Sequence, residues 1–423
     1  MDRILRNARL ADGSAVDIVI SGGLITEVRA TGPTPREGVD VHDLGGRLVL
    51  PALAEPHAHL DKALTAETVP NVTGDLMGAI EAQTAAMQNG MFTYDDVVDR
   101  ATRALELLLV HGTTAVRSHV DVGAGLGATW VQAVHEARSR FVGLMDVQIV
   151  ALMYGPLPGD EGVKNRAMLS AALAAGADLV GGCPALESDS AGQIRELLAA
   201  ATDAGLGVDL HVDETLDASM LTLRELARQV RTTGFVHPVA ASHCVSLAMQ
   251  TREVQEAVAS EVAAAGIAVI PLPQTNLFLQ GRGLASPMPR AIAPVDILRR
   301  AGVLVAAGGD NVQDPFNPVG RSDPLETAAL LVMASHQLPD AAYGMVSNDV
   351  RRVMGLPVVT MKPGDPADLL VIDAPSVRGA IADASPSRRV YHRGRLVASS
   401  TLTTTIGVES TVHNRFFDSN PRL

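Results

Sequence analysis

The pattern that most constrains this chain is an alternation of short β-branched runs with Ala- and Leu-rich segments of helical period. In residues 190–204, for example, an apolar face runs from Ile194 to Ala201, and Gly205 follows as a helix stop. Such alternation is typical of βα units around a buried parallel sheet, and eight strands close a (β/α)8 barrel. The strand candidates are residues 49–55, 116–122, 146–153, 177–183, 207–213, 237–243, 267–272 and 303–309.

The two ends of the chain have a different pattern. Residues 2–49 and 357–397 contain short strands and turns without a convincing helix. We therefore expect an α/β protein with a (β/α)8 TIM barrel over residues 51–356 and a small β-sandwich built from residues 1–50 and 357–423. The chain has room for both, since such a barrel takes about 250 residues. The tail after Ser399 (SSTLTTT) predicts an extended arm, which we expect to wrap a neighbouring subunit of a homo-oligomer.

Composition argues against several classes of function. The chain is 47% hydrophobic but only 3% aromatic, so its core is aliphatic. Its net charge of -13 argues against nucleic acid, which calls for clustered Lys and Arg. The charged N-terminus is unlike a signal peptide, and no run approaches the roughly 18 apolar residues of a membrane span. We expect a cytoplasmic protein that binds no membrane, in which Cys183 and Cys244 are buried thiols.

Polar side chains follow several of the predicted strands. His57 and His59 follow the first strand, His211 ends the fifth, and Asp310 ends the eighth. The carboxyl ends of barrel strands open on one face, so these side chains converge. An H-x-H pair on an extended segment directs both imidazoles to the same side. The sequence therefore predicts one divalent ion per chain, Zn²⁺ or Fe²⁺, with one coordination position open for water.

Each of these residues also has a structural interpretation when taken alone. An H-x-H pair is a weak signal, a buried His is often a satisfied core residue, and an Asp in this position commonly caps a turn or helix. Their joint placement at strand ends favours the metal site. His119, at the end of the second strand, is a candidate for supporting the ligands. The remaining histidines show no motif and are interpreted as structural or exposed: His42, His111, His135, His237, His336, His392 and His413.

Two further polar residues fit roles in hydrolysis. Glu214 lies shortly after His211, where a carboxylate beside a cation can take a proton from water and return it to a leaving nitrogen. The alternative for Glu214 is to cap the next helix. His243 ends the sixth strand without an H-x-H partner, so it fits a group that holds or polarises the attacking water better than a metal ligand.

The chain resembles the amidohydrolase superfamily over nearly its whole length, and within it the cytosine deaminase group. The matching segments are LPALAEPHAHLDKALT, VRSHVDV, VQIVAL, ADLVGGCPALE, DLHVDETLD, ASHC, TNLFLQGRG and GGDNVQDPFNPVGRSDPLE. The resemblance implies a (β/α)8 barrel with an end-built β-sandwich and an iron or zinc cofactor. It implies these roles: metal ligands His57, His59, His211 and Asp310, proton shuttle Glu214, and water-orienting His243. It also implies a single metal, because ADLVGGCPALE lacks the lysine that bridges two metals in dinuclear members.

The resemblance also bears on the substrate, for which the candidate binding residues are Tyr154, Asn311, Lys62 and Gln280. Cytosine deaminases have a Gln that reads the pyrimidine and commonly a second Asp after the metal-binding Asp, where this chain has Tyr154 and Asn311. An unpaired buried polar group costs about 1–3 kcal/mol, so we expect cytosine to be a poor substrate. We expect a deaminase or aminohydrolase of a small N-heterocycle. The alternatives are a cyclic or open amide hydrolase, a triazine-type N-alkylaminohydrolase, which HLDK with Lys62 resembles, and a barrel without catalysis.

Overall fold

The computed structural model describes residues 2–32, 39–123 and 125–405. Its strands are β1 (Arg3–Arg9), β2 (Ala15–Ser21), β3 (Leu24–Ala30), β4 (Asp40–Asp43), β5 (Leu48–Pro51), β6 (Leu53–Ala58), β7 (Thr113–Asp121), β8 (Asp146–Met153), β9 (Leu179–Gly182), β10 (Gly207–Val212), β11 (Val239–His243), β12 (Ala268–Ile270), β13 (Leu369–Ile372), β14 (Arg388–His392) and β15 (Arg395–Ser400). Its α-helices are α1 (Leu76–Gln88), α2 (Tyr94–Val110), α3 (Thr129–Ser139), α4 (Val163–Ala174), α5 (Ser190–Ala204), α6 (Thr222–Thr233), α7 (Arg252–Ala264), α8 (Pro273–Leu279), α9 (Val295–Arg300), α10 (Pro324–Ala334), α11 (Pro339–Met345), α12 (Asn348–Val353) and α13 (Val377–Asp383). Short 3₁₀ helices span Pro184–Leu186 and Ser246–Met249.

The barrel sheet consists of seven parallel strands in chain order from β6 to β12. Strands β6, β7, β10 and β11 are buried along their whole length, as expected where helices cover the outside and side chains fill the inside. The helix expected at residues 190–204 is α5, and Gly205 ends it in the left-handed conformation with φ of 69°. The alternating pattern therefore predicted the barrel and its helical layer correctly.

The eighth predicted strand, residues 303–309, is not a regular strand. Within it Val305 bridges Val269 of β12, and Asp310 just beyond it bridges Ala58 of β6, so an irregular segment closes the ring. The buried carboxylate of Glu55 replaces part of the missing strand pairing, since it accepts the N–H of His57 at 3.0 Å and that of Gly309 at 2.9 Å. A Cβ at position 308 would lie 2.3 Å from Glu55 Oε1, so the carboxylate occupies the space of a side chain.

The first predicted strand, residues 49–55, combines parts of two strands that belong to different sheets. β5 pairs antiparallel with β13 in the terminal sheet, whereas β6 pairs in parallel with β7 in the barrel. The chain changes sheets at Ala52, whose N–H donates to the carbonyl of Asp368, while the next N–H donates to that of Gly112. The residues on either side of this change, Leu50 to Ala54, are all apolar, so their composition does not reveal it.

Strands from both ends of the chain form the second sheet, in the order β15-β14-β13-β5-β1-β2-β3 with β4 beside β1. Ile18 and Ile25 share one core with Val371 and Tyr391 from the other end of this sheet, so it folds over on itself as the expected small β-sandwich. The absence of helix expected within residues 357–397 is wrong, because Ser376 caps α13 by accepting the N–H of Gly379.

The predicted C-terminal arm is only partly covered. Residues 401–405 follow β15 without regular structure and are exposed, and residues 406–423, with His413, lie outside the described residues. None of the helices in the described ranges combines the length and the apolar character needed to cross a membrane.

Candidate metal centre and active site

The side chains proposed as metal ligands meet at the carboxyl end of the barrel. His57 lies in β6 and His59 directly follows it, His211 lies in β10, and Asp310 ends the closing segment. The Nε2 atom of His211 lies 3.2 Å from the Nε2 atoms of both His57 and His59. Asp310 Oδ1 lies 3.2 Å from His59 Nε2 and 3.5 Å from His57 Nε2. The whole predicted set is therefore buried at one point.

The donor atoms of this cluster fit a bound cation. Neither carboxylate oxygen of Asp310 has a hydrogen-bond partner among the described residues, although the side chain is buried. Burial lowers the pKa of His57, His59 and His211 well below the usual value, so their rings are neutral. A buried carboxylate without a partner is costly, and three neutral imidazole nitrogens with one carboxylate are a ligand set that suits Zn²⁺ or Fe²⁺.

The backbone at these strand ends adopts a conformation that residues other than glycine rarely take. Asp310 has φ of 66° and His243 has φ of 65°, both in the left-handed region. Hydrogen bonds hold these turns: the Asp310 N–H donates to the His57 carbonyl at 3.0 Å, and the Cys244 N–H donates to that of Val212 at 2.8 Å. Local strain of this kind persists where the surrounding structure enforces it, often at functional sites.

A row of buried polar groups supports His57 from behind. Ser242 Oγ donates to Asp209 Oδ1 at 3.1 Å and lies 2.8 Å from His57 Nδ1. Since the hydroxyl proton is directed to Asp209, the serine oxygen accepts the Nδ1 proton of His57, which leaves Nε2 free to ligate. Arg117 Nη1 donates to Asp209 Oδ2 at 2.7 Å, and the ring of His119 stacks on His57 with centroids 3.8 Å apart. The strand-end position of His119 predicted its place here, whereas Ser242 and Asp209 were not among the residues predicted from the sequence.

Glu214 and His243 lie beside the cluster and share one amide. Asn276 Nδ2 lies 3.1 Å from His243 Nδ1 and donates to Glu214 Oε1 at 3.4 Å, while Glu214 Oε1 lies 3.6 Å from His243 Nδ1. Burial, together with the negative charge of Asp310, raises the pKa of Glu214 well above its usual value. Burial also lowers the pKa of His243 to about 4, and its Nε2 has no hydrogen-bond partner among the described residues. The segment TNLFLQGRG contained Asn276, but no local signal assigned it a role.

A cavity of about 430 Å³ opens above these groups. On one wall, Asp121 Oδ1 accepts from Lys62 Nζ at 2.8 Å and from Tyr154 Oη at 2.8 Å, so one carboxylate holds both candidate substrate-binding residues. Asp121 ends β7, and the rule that selected the other strand-end residues would also have found it.

The other candidate residues lie in or beside the same cavity. Asn311 lines it, with its amide nitrogen donating to Asp314 Oδ2 at 2.8 Å. Gln280 lines a neighbouring cavity and donates from Nε2 to the backbone carbonyl of Glu214 at 3.0 Å. The thiol of Cys183 is buried as expected, yet it forms part of the cavity wall, as does one face of α1. Neither contribution was visible in the sequence, because it depends on where distant elements pack.

Comparisons with known proteins agree with this geometry. A model of the amidohydrolase family matches residues 66–413. The chain belongs to this family. A pterin deaminase from Rhizobium rhizogenes (strain K84 / ATCC BAA-868) is 32% identical over 391 residues, which cover 91% of this chain and 88% of that protein. An N-isopropylammelide isopropyl amidohydrolase from Pseudomonas sp. (strain ADP) is 26% identical over 414 residues, 94% of this chain and 97% of that protein.

A solved structure supports the same assignment. The 5-methylcytosine deaminase from Klebsiella pneumoniae liganded with phosphonocytosine superposes with a TM-score of 0.85 at 27% identity, and covers 96% of this chain and 100% of that one. The chain is therefore a metal-dependent hydrolase acting on carbon–nitrogen bonds other than peptide bonds, and not a barrel without catalysis. The family match begins after His57 and His59, so their place at the centre comes from the structure.

Proposed function

We propose that this enzyme is a mononuclear deaminase that hydrolyses an exocyclic amino group of a small N-heterocycle and releases ammonia. The observation that carries the proposal is the pair Glu214 and His243, held 3.6 Å apart beside Asp310 at the floor of the cavity. A proton carrier and a polar group for water thus adjoin the candidate metal ligands. The pterin deaminase and 5-methylcytosine deaminase that the chain resembles act on aminated rings of this kind.

In this proposal His57, His59, His211 and Asp310 hold one divalent ion, Zn²⁺ or Fe²⁺. When bound, such an ion supplies Lewis acidity that makes water a nucleophile at neutral pH. The surrounding chain excludes bulk water, because all four side chains are buried.

The protein groups around the ion move and hold protons. Glu214 takes a proton from the attacking water and delivers it to the departing nitrogen, as a carboxylate with a raised pKa can do. His243, whose Nε2 is free of protein partners in the described chain, orients that water. Asp310 has a carboxylate oxygen to accept the proton that remains on the new carbon–oxygen bond and to pass it to the ring nitrogen beside that carbon, so that the products are the neutral lactam and ammonia. Asn276 keeps Glu214 and His243 in register through its amide.

The opposite wall of the cavity binds the ring. Lys62, held by Asp121, offers its remaining ammonium protons to a ring carbonyl. Tyr154 donates its one hydroxyl proton to Asp121, so its oxygen is left to accept from a ring N–H. Asn311 lines the same cavity and Gln280 the neighbouring one, and they complete the predicted set. Tyr154 offers one hydroxyl where an amide would offer a donor and an acceptor together. For this reason we keep the prediction that cytosine is a poor substrate.

The test is ammonia release by purified, metal-replete enzyme from pterin, 5-methylcytosine, cytosine and N-isopropylammelide, with the Glu214→Gln variant as a blank for contaminating activity. We expect ammonia from at least one aminated ring, and a kcat/KM for cytosine below roughly 10⁴ M⁻¹s⁻¹, the lower end of typical enzymes. Release of isopropylamine from N-isopropylammelide without ammonia from any ring would favour the triazine-type alternative. Release of neither amine would overturn the proposal.

Three expectations from the sequence stay predictions. They are the homo-oligomer, the cytoplasmic location, and the division into residues 51–356 and the two terminal segments. Size-exclusion chromatography with light scattering tests the first, and limited proteolysis near residues 51 and 357 tests the third.

A further inference from the structure

A second cavity, of about 410 Å³, adjoins the one above the candidate metal ligands. Both cavities are lined by His211, Glu214 and Cys183, and also by Leu76, Met77 and Leu186. The two spaces are therefore neighbours across the proton-carrying carboxylate. We call the second space the side chamber; its remaining lining residues are Asp75, Ala185, Thr215, Asp217, Met220, Leu279 and Gln280.

The size of the combined space exceeds what one small ring occupies. Pockets that take drug-sized ligands typically enclose about 300–1,000 Å³, and each of these two cavities lies within that range. A ring seated over Glu214 leaves the side chamber for a part of the same molecule that extends away from the reacting carbon.

The walls of the side chamber are tied to the catalytic floor. Gln280, at the end of α8, donates from its amide to the backbone carbonyl of Glu214 at 3.0 Å. Arg282 donates to the carbonyl of Gly74, just before α1. Two of the segments that line the chamber, the end of α8 and the start of α1, are thus fixed to the site and to each other, as in a largely preformed ligand site.

The chemistry of the chamber limits what it can bind. Leu76, Met77, Met220 and Leu279 supply an apolar surface, and methionine side chains adapt to ligands of different shape. Asp75 and Asp217 supply negative charge to the chamber, and the guanidinium of Arg282, which does not line it, lies near Asp75. Neither Lys nor Arg occurs among the described residues that line the chamber. An anionic group would meet like charges there, whereas a neutral or cationic group would not.

We propose that the side chamber binds a neutral or cationic, partly apolar substituent of the heterocycle whose amino group is hydrolysed. The preferred substrate is then a ring that carries such a substituent, and not the unsubstituted ring. This inference rests on the proposed deaminase function.

The experiment measures kcat/KM for pterin, 6-(hydroxymethyl)pterin and 6-carboxypterin in the wild type and in Met220→Trp, which fills the chamber from a residue outside the catalytic set. We expect the wild type to prefer the hydroxymethyl compound, and the variant to lose about 10-fold or more on it, the scale of a pocket contact of one or two methylenes. Activity on unsubstituted pterin should stay within about threefold. The carboxylate should be the poorest substrate of the three. Met333→Trp, at an exposed site on α10, is the matched control.

The outcomes separate this inference from the function on which it rests. An equal loss on pterin and on its hydroxymethyl derivative, or a preference for the carboxylate, would overturn the side chamber but leave the deaminase in place. Absence of ammonia from every heterocycle tested would overturn both. If Met220→Trp fails to fold by circular dichroism, Ala185→Leu, at another residue that lines the chamber, replaces it. The expected loss and the result that would overturn the inference are the same.

Discussion

Two buried aspartates, one beside the terminal sheet and one in the barrel, differ in whether the protein supplies a partner for the carboxylate. Asp368, at the start of β13, accepts from Arg351 Nη2 at 2.7 Å and lies 3.0 Å from His392 Nδ1. Asp310, at the mouth of the barrel, is equally buried but has no hydrogen-bond partner for either oxygen in the described chain. Burial alone would raise the pKa of Asp368, but His392 and Arg351 outweigh this effect, so the pKa is lower than usual. At Asp310, burial raises the pKa to about 6.

The difference indicates what each carboxylate is for. A buried carboxylate that the chain itself neutralises joins two parts of the fold, here α12 and the terminal sheet through Arg351 and Asp368. A buried carboxylate left without a partner costs folding free energy, which a bound cation offsets. We therefore expect substitutions at the barrel mouth to lower mainly the activity. Substitutions at the junction should lower mainly the free energy of unfolding.

The largest effect should come from the metal ligands. We expect His59→Ala to lose the ion and essentially all turnover, because His59 Nε2 lies at the centre of the cluster. Metal analysis of the wild type should find about one equivalent, the stoichiometry of a single four-ligand site. His135→Ala, at an exposed position of α3, should keep both metal and turnover. Similar losses in the two variants, or two metal equivalents in the wild type, would contradict the assigned site.

The second largest effect, a loss of kcat, is expected from Glu214→Gln. The amide keeps the shape of the side chain but cannot carry a proton, so kcat should fall by about 10²–10⁴-fold. The metal content should stay at the wild-type value, because Glu214 is not among the proposed ligands. Pre-steady-state ammonia release with matched metal content measures the loss, and turnover close to the wild type would reduce Glu214 to a structural role.

At the junction, the expected effect is on stability. Arg351→Met leaves the buried Asp368 with His392 and the backbone N–H of Arg393 as partners but without its ion pair. Removal of one partner of a buried ion pair costs about 3 kcal/mol or more. The neighbouring Arg352 pairs with Asp349 at an exposed position, so Arg352→Met should cost less than about 1 kcal/mol. Urea unfolding of both variants gives the comparison. Equal free energies of unfolding for Arg351→Met and Arg352→Met would contradict the interpretation that the ion pair at Asp368 stabilises the fold.

The smallest effect should come from the support behind His57. Ser242→Ala removes the hydroxyl that fixes the His57 ring, and loss of such supporting contacts typically weakens metal binding by about 10–100-fold. Competition with a chelator of known affinity measures this change independently of activity. An unaltered metal affinity would show that His57 is oriented without Ser242 and Asp209.

The sequence by itself determined the barrel and most of the candidate site. A parallel barrel places every strand end on one face, so His57, His211 and Asp310 could be grouped from their positions after apolar runs, without knowledge of any contact. The same rule reached Glu214 and His243. It also applies to Asp121, the last residue of β7, which was not among the predicted site residues.

Only the tertiary structure decided how these elements are closed and supported. The regular strand expected at residues 303–309 is absent, and there the Ala307 N–H donates to the carbonyl of Met345 and the Gly309 N–H to the Glu55 carboxylate. The strand expected at residues 49–55 divides because its two halves find partners in different sheets. The row from Ser242 to Arg117 and the side chamber join elements far apart in the chain. Such contacts leave no periodic trace, since hydrophobic period reports which face of an element is buried and not which element covers it.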